Sequence, residues 1–286
     1  MSAVIPGTLY MVATPLGNLQ DLSPRALATL QAVDLIAAED TRRTRKLLAH
    51  FGIRQPLESY HGDSGPRKAE KLLRRLRAGQ SVAYVTDGGT PGIADPGPEL
   101  AAAAIAEDFA VVPVPGPSAV AAALSVAGFP ADRFVFGGFV TARQPDSYLR
   151  PLLSTGHTLV LYESPHRVVE TSRLLARLAP QRLLVVGREI TKQHEEWLRG
   201  TTSELAQRLG EVEPRGEYVL VLGPAAPDAE GAAPLPPPDD GLRLMLAAGL
   251  SVRDAANIVA AFGLLNRRAA YQLALALKEE DPAGEK

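Results

Sequence analysis

From Ser81 to Gly97 the chain reads SVAYVTDGGTPGIADPG, and this stretch constrains the fold more than any other. It opens with Val82, Ala83, Tyr84 and Val85, a short apolar run rich in strand formers. It then enters a segment that neither helix nor strand accommodates. Gly88, Gly89, Gly92 and Gly97 permit backbone angles closed to other residues, while Pro91, Pro96 and Pro98 fix φ and remove donors. Asp87 and Asp95 bring two carboxylates into a segment with few other charges. In open α/β sheets ligands sit at the carboxyl ends of strands, where such loops lie. The expectation is a buried strand followed by a loop that wraps a small molecule, with Gly89 against that molecule. The plainer alternative is a tight surface turn in which Asp87 caps the next helix.

The pattern around this stretch is strand, loop, helix, repeated. Thr8–Thr14 reads as a strand running into the turn Pro15-Leu16-Gly17-Asn18. Ser23-Pro24 then starts a helix, with Ser as cap and Pro at the first helical position. Leu35–Ala38 and Phe109–Val114 are further strands, and Pro115-Gly116-Pro117-Ser118-Ala119 opens another helix. Strands alternating with helices predict a mostly parallel sheet over residues 1–115. From 116 to 223 the strands Phe134–Phe139, Thr158–Tyr162, Arg182–Gly187 and Glu217–Gly223 have fewer helices between them, which predicts an antiparallel or mixed sheet. Residues 224–240, PAAPDAEGAAPLPPPDD, read as a linker unable to build a core. Residues 241–286 read as a small helical extension, two helices around Gly263 in the manner of a helix-turn-helix. Tyr271, in register with Leu264 and Leu275, is expected to pack between those helices, with stacking on a base as the alternative.

Composition excludes several classes. With no Cys among 286 residues, disulfides and thiolate zinc sites are ruled out, and no metal site is expected. No apolar run has membrane-spanning length, and the start MSAVIPGTLYMVATP lacks a charged n-region, so a cytoplasmic location is expected. A net charge of −2 argues against a chain coated in positive charge. Local basic segments remain. Arg42, Arg43 and Arg45 follow the second strand, and Arg74, Arg75 and Arg77 lie on an amphipathic helix. Arg253, Arg267 and Arg268 lie in the tail. Each set reads either as a solvated face or as a contact for phosphates.

Eight segments taken together are similar to one family: GTLYMVATPLGNLQDLSPRAL, AAEDTRRTRKLL, YHGD, TDGGTPGIADPG, VPGPSAVAAALSVAGFP, YESPHR, GREITKQHEE and GEYVLVLG. In this order they resemble the ribosomal RNA ribose methyltransferases of the tetrapyrrole methylase superfamily, from about residue 4 to residue 223, with the helical tail also similar. The resemblance implies two α/β domains with S-adenosylmethionine in the cleft between them, and a homodimer. It implies 2′-O-methylation of a cytidine in 16S rRNA, with the small ribosomal subunit as partner. Matched to the family's motifs, the cofactor contacts fall on Leu16, Asp87, Thr90, Ser118, Ala119, Tyr162 and Leu222. More distant members read closer to GDPxxYG where this chain reads TDGGTPG.

The residues fit that chemistry. S-adenosylmethionine carries no phosphate, so no P-loop lysine is needed. Methyl transfer is an in-line displacement, governed by alignment and desolvation of two bound partners. A ribose hydroxyl is a poor nucleophile near neutral pH, so a general base would help. Asp40, His61 and Glu163, all at expected loop ends, are the candidates, each with a structural hydrogen-bonding role as the alternative. RNA contacts are expected at Arg42, Arg43, Arg45, Arg74, Arg75, Arg267 and Arg268, and the helical extension 241–286 is expected to serve RNA recognition, not cofactor binding. The competing readings are a small tetrapyrrole or a protein side chain as acceptor, or a ribosome assembly factor without catalysis. The arginine segments favour RNA over a tetrapyrrole, and the TDGGTPG loop favours an enzyme.

Overall fold

The computed structural model describes residues 4–62, 65–225 and 237–280. The chain divides after Ala225 into two compact units. The larger unit holds two five-stranded sheets. The first contains β1 (Thr8–Val12), β2 (Leu35–Ala38), β3 (Leu57–Ser59), β4 (Val82–Val85) and β5 (Ala110–Val114). Its order is β3-β2-β4-β1-β5, and every pairing is parallel. The helices α1 (Pro24–Ala32), α2 (Thr41–His50), α3 (Gly65–Arg77) and α4 (Pro98–Ile105) alternate with these strands.

Both faces of this sheet are covered, which explains why its strands read as unbroken apolar runs. Successive side chains of β4 serve opposite cores. Val82 and Tyr84 pack with Leu9, Leu72, Leu76 and Leu100, while Ala83 and Val85 pack with Val12, Leu30 and Ile36. The first helix starts as the sequence dictates: Ser23 Oγ accepts from the Ala26 amide at 3.1 Å, with Pro24 at the first helical position.

The chain then passes through α5 (Ala119–Ala127) into the second sheet. There follow β6 (Phe134–Phe139), α6 (Pro145–Ser154), β7 (Thr158–Glu163), α7 (Val168–Leu178), β8 (Leu183–Arg188), β9 (Glu196–Thr201), α8 (Thr202–Gly210) and β10 (Tyr218–Leu222). The order is β6-β7-β10-β8-β9; β6 and β7 run parallel, and the other neighbours run antiparallel. The mixed character is the one expected. Strand β9 is not, because EWLRGT carries too little apolar pattern; it is an edge strand whose residues are half-buried or exposed.

Antiparallel pairing sets the direction of β10. Its first residue, Tyr218, lies opposite Glu163 at the end of β7, and its last, Leu222, lies opposite Leu159 at the start. Beside it, the buried Arg182 binds three backbone carbonyls: Gly223 at 2.7 Å, Leu153 at 3.0 Å and His157 at 2.6 Å. Each of those acceptors would be costly to leave unpaired, so this guanidinium holds the lower rim of the sheet together.

Among its described residues the smaller unit holds three helices: α9 (Pro238–Ala247), α10 (Val252–Ala261) and α11 (Arg267–Glu280). Leu242, Ala255, Ala256, Val259, Ala270, Ala274 and Leu277 form its core. Helix α10 starts at Ser251, whose hydroxyl accepts from the Asp254 amide at 3.1 Å. Two expectations change here. Helix begins at Pro238, inside the expected linker, because Asp239 and Asp240 favour a helix N-terminus. The unit also has a third helix, since α10 and α11 alone leave an apolar face that Leu242 of α9 closes. The linker residues 226–236 lie outside the described residues.

Candidate functional site

The site is built from loops that touch backbone to backbone. Past β4, the amide of Gly89 donates to the Thr14 carbonyl at 2.9 Å, and the Thr14 amide returns the bond to Gly89 at 2.9 Å. This two-residue antiparallel bridge pins the loop after β4 against the loop after β1. Thr90 Oγ1 donates to the Pro117 carbonyl at 3.0 Å, tying the same loop to the one after β5. The approach demands glycine. A Cβ on Gly88 would stand 3.0 Å from the Pro15 oxygen, and Gly89 adopts φ +90° with Leu16 Cδ2 3.3 Å from where its Cβ would be.

Between these loops and the β7, β8 and β10 ends of the second sheet lies a cleft of about 460 Å³. Leu16, Asp87, Thr90, Ser118, Ala119, Tyr162 and Glu163 all line it. Residues 70 or more positions apart thus meet in one place. So do residues that the sequence reading left out: Gly88, Ile93, Asp95, Phe139, Lys192, Glu217 and Tyr218. Asp95 stood in the loop singled out at the start, so its position was a usable signal. Lys192 and Glu217 lie in the quoted segments GREITKQHEE and GEYVLVLG, but nothing local marked them as rim residues, because only antiparallel pairing brings β8 and β10 to this rim.

The cleft is acidic and partly apolar. Asp87 accepts from the Asp40 amide at 3.2 Å and pairs with Arg43 at 3.3 Å, while its own amide donates to Glu39 at 3.3 Å. Burial pushes the Asp87 and Glu39 carboxyls up. Burial, then the charge of Glu39, pushes Asp95 up to about 6. Lys192 does not neutralise this group, since Glu189 at 2.8 Å and Glu217 at 3.0 Å already hold it. Phe139 and Tyr162 supply an aromatic wall, their ring centroids 5.4 Å apart in an edge-to-face pair. A cleft of this volume, apolar with a few polar groups, suits a molecule of nucleoside size, and its carboxylates suit a cation.

The structure gives several of the expected residues other surroundings. Leu222 is wholly buried in the core of the second sheet, at the end of β10 remote from Glu163, so its side chain does not reach the cleft. Gly89 serves the bridge to Thr14, and Gly88 is the glycine in the cleft wall. Asp40 caps α2, accepting from the Arg42 amide at 2.8 Å and pairing with the Arg42 guanidinium at 2.9 Å. Those hydrogen bonds hold its carboxyl at about 2, too acidic for a useful base. His61 follows the edge strand β3, bonds Lys68 at 3.1 Å and lies outside the cleft lining. Glu163 does face the cleft, but its carboxylate is engaged by Thr171 at 2.6 Å, the Ser164 amide at 2.8 Å and Arg167 at 3.0 Å. It anchors the turn from β7 into α7.

The arginines sort unevenly. Arg43 belongs to the cleft, paired with Asp87. Arg42 pairs with Asp40, Arg74 with Glu70, Arg75 with Glu58, and Arg77 with Glu70 and Glu107. Arg45 is exposed and forms no ion pair among the described residues.

Known proteins share this architecture. The profile described as Tetrapyrrole (Corrin/Porphyrin) Methylases matches residues 8–206. A uroporphyrin-III C-methyltransferase from Thermus thermophilus, solved in complex with S-adenosylhomocysteine, superposes with a TM-score of 0.55 at 24% identity, over 76% of this chain and 97% of that one. A parallel and a mixed sheet facing one cleft thus define a methylase of the tetrapyrrole methylase fold. Much nearer in sequence are proteins named ribosomal RNA small subunit methyltransferase I. The one from Synechocystis is 45% identical over 96% of this chain and 99% of its own, and one from Xylella fastidiosa is 48% identical over 77% and 83%. The chain belongs to the ribosomal RNA small subunit methyltransferase I branch of the tetrapyrrole methylase family.

Gly89→Ala is expected to cost about 1–2 kcal/mol, because φ +90° forces a Cβ toward the preceding backbone and Leu16. Urea unfolding checks this; an unchanged midpoint would mean that the bridge to Thr14 does not hold the loop.

Proposed function

We propose that this protein transfers the methyl group of S-adenosylmethionine to the ribose 2′-hydroxyl of a cytidine in the 16S rRNA of the small ribosomal subunit. The observation that carries the reading is the cleft itself, where carboxylates and an aromatic wall meet at the carboxyl end of a parallel sheet. Its carboxylates complement a ligand with a sulfonium and an ammonium, and its apolar wall complements an adenine. The names of the relatives supply the substrate class.

Leu16, Asp87, Thr90, Ser118, Ala119 and Tyr162 are assigned to hold the donor, with Gly88 and Asp95 added from the structure. The bound donor supplies an electrophilic methyl group on a positively charged sulfur. The chain's part is alignment and exclusion of water. The three loops locked by the Thr14–Gly89 bridge and the Thr90–Pro117 hydrogen bond form a pre-organised wall, and Ile93, Phe139 and Ile190 make it dry. No dedicated base is assigned, because Asp40 and Glu163 are bound to cations and amides and His61 stands outside the lining.

A homodimer is part of this reading. Edge strand β6 leaves Phe134 43% exposed, and a second copy would cover it; sedimentation at the monomer mass would refute this. Work on ribosomal RNA implies the cytoplasm. Among the described residues no helix is long and apolar enough to cross a membrane.

Incubation of the protein with labelled S-adenosylmethionine and small ribosomal subunits lacking the modification tests the function. Digestion and mass spectrometry are expected to show 2′-O-methylcytidine. Label on a base, or none on RNA while a uroporphyrinogen or protein acceptor is methylated, would sink the reading.

Donor affinity should also depend on pH. Asp95 titrates near 6 in the free protein, above its ordinary value of 3.8. A bound cation favours the ionised carboxylate, so binding expels the proton, and affinity falls as pH drops through 6. Calorimetry from pH 8 to pH 5 should show a loss approaching tenfold per unit below about 6. Asp95→Asn should bind weakly without that dependence. A flat profile in the native protein would show that Asp95 does not face the charge.

A further inference from the structure

Of the arginines expected to meet RNA, those of the larger unit other than Arg45 and those of the tail stand in different electrostatic company. In the larger unit Arg42, Arg43, Arg74, Arg75 and Arg77 each pair with a carboxylate of their own surface. An arginine already paired releases little when it meets a phosphate, because it exchanges one anion for another. In the tail, Arg253, Arg267 and Arg268 are exposed, and none forms a hydrogen bond or ion pair among the described residues. They converge on one groove of about 660 Å³ between α10 and α11.

Helical spacing builds that groove. Arg253 and Asn257 lie four apart on α10, and Arg268, Tyr271 or Gln272, and Leu275 repeat along one face of α11. Ala255 and Ala256, both buried, let the helices approach, so longer side chains stand along the rim. Tyr271 is not in the tail's core, contrary to the expectation from its register with Leu264. Its ring is 43% exposed in the groove wall, with Leu275 beside it at 40%. Arg267 and Arg268 sit in the first turn of α11, which holds no acidic residue to offset them. Two unpaired cations there work against the positive end of the helix, a local cost that an anion would relieve.

Cations without partners, a half-exposed aromatic ring, and amide side chains able to reach a base edge match one ligand chemistry. We propose that the groove between α10 and α11 binds an unpaired RNA strand, with Arg253, Arg267 and Arg268 on its phosphates and Tyr271 stacked on a base. This rests on the RNA reading above and places a second RNA contact in the tail, apart from the residues of the methyl-transfer cleft. A protein ligand with acidic residues would use the charges but not the stacking platform.

The test uses the full chain and a labelled, unpaired oligoribonucleotide of the small-subunit sequence, with the same strand as a duplex for comparison. Anisotropy titrations over a range of salt give affinity and slope. Arg267→Gln with Arg268→Gln is expected to flatten the log–log salt slope by about 1.4, two single-strand phosphate contacts at about 0.7 each. The matching pair of Lys replacements should restore the slope. Tyr271→Ala should weaken unpaired RNA about tenfold or more with the slope unchanged, while Tyr271→Phe keeps the affinity. Circular dichroism and calorimetry with S-adenosylmethionine should be native in every variant. If the native protein binds the strand but the Gln pair and Tyr271→Ala match it in affinity and slope, the groove proposal falls and the enzymatic reading stands. Equal binding of duplex and strand, indifferent to Tyr271→Ala, also overturns it. If the native protein neither binds RNA nor methylates the subunit, both readings fall.

Discussion

The pair of hydrogen bonds between Thr14 and Gly89 is the contact on which the cleft depends. It joins the loops that leave β1 and β4, neighbouring parallel strands whose carboxyl ends would otherwise present separate, movable turns. Parallel strands cannot be tied by a hairpin, so their loops need some other restraint. Here a single bridge does it, and Thr90 extends the restraint to the loop after β5. Backbone groups that would be open to water instead satisfy one another at 2.9 Å. Both glycines follow from this geometry, one by its positive φ and one by the nearness of the Pro15 oxygen.

Charge is distributed with the same economy. The larger unit carries many arginines, yet its cleft is acidic because those arginines serve neighbouring carboxylates or lie elsewhere on the surface. Asp40 illustrates the rule. Its carboxylate caps α2 and holds Arg42, and that stabilised anion has little basicity left for catalysis. Glu163 has its oxygens engaged by Thr171, the Ser164 amide and Arg167 at the β7–α7 turn. Asp95 differs, since burial and a neighbouring acid raise its proton affinity, which is how a carboxylate acts near the working pH.

Much of this was legible in the residues. Val82–Val85 is a strand to the residue, and so are Leu35–Ala38 and Phe134–Phe139, because short apolar runs bounded by Gly, Pro and polar residues have few other fates. Six of the seven expected cofactor residues line one cleft. The exception, Leu222, is instructive. The resemblance to the family's motifs implies it, at the end of a strand, and a strand's last residue reaches the rim only when the strand runs parallel to its neighbours. Since β10 runs antiparallel to β7, its first residue and not its last reaches the rim. Strand β9 went unseen because an edge strand needs no apolar alternation.

The sequence by itself determined what is local: the strands, the capped starts of α1 and α10, the glycine-rich loop after β4, and the family to which its motifs are similar. These depend on backbone sterics and hydrophobic period, which neighbouring residues set. Only the tertiary structure decided which charges are satisfied and which stand free. Arg74 and Arg267 look alike in the chain, yet one is bound to Glu70 and the other has no partner among the described residues. Coulomb energy falls with distance and not with sequence separation, so pairing is a property of the folded surface. Tertiary structure likewise chose Gly89 for the bridge and Gly88 for the wall, because a close approach is defined only once the loop after β1 has arrived beside them.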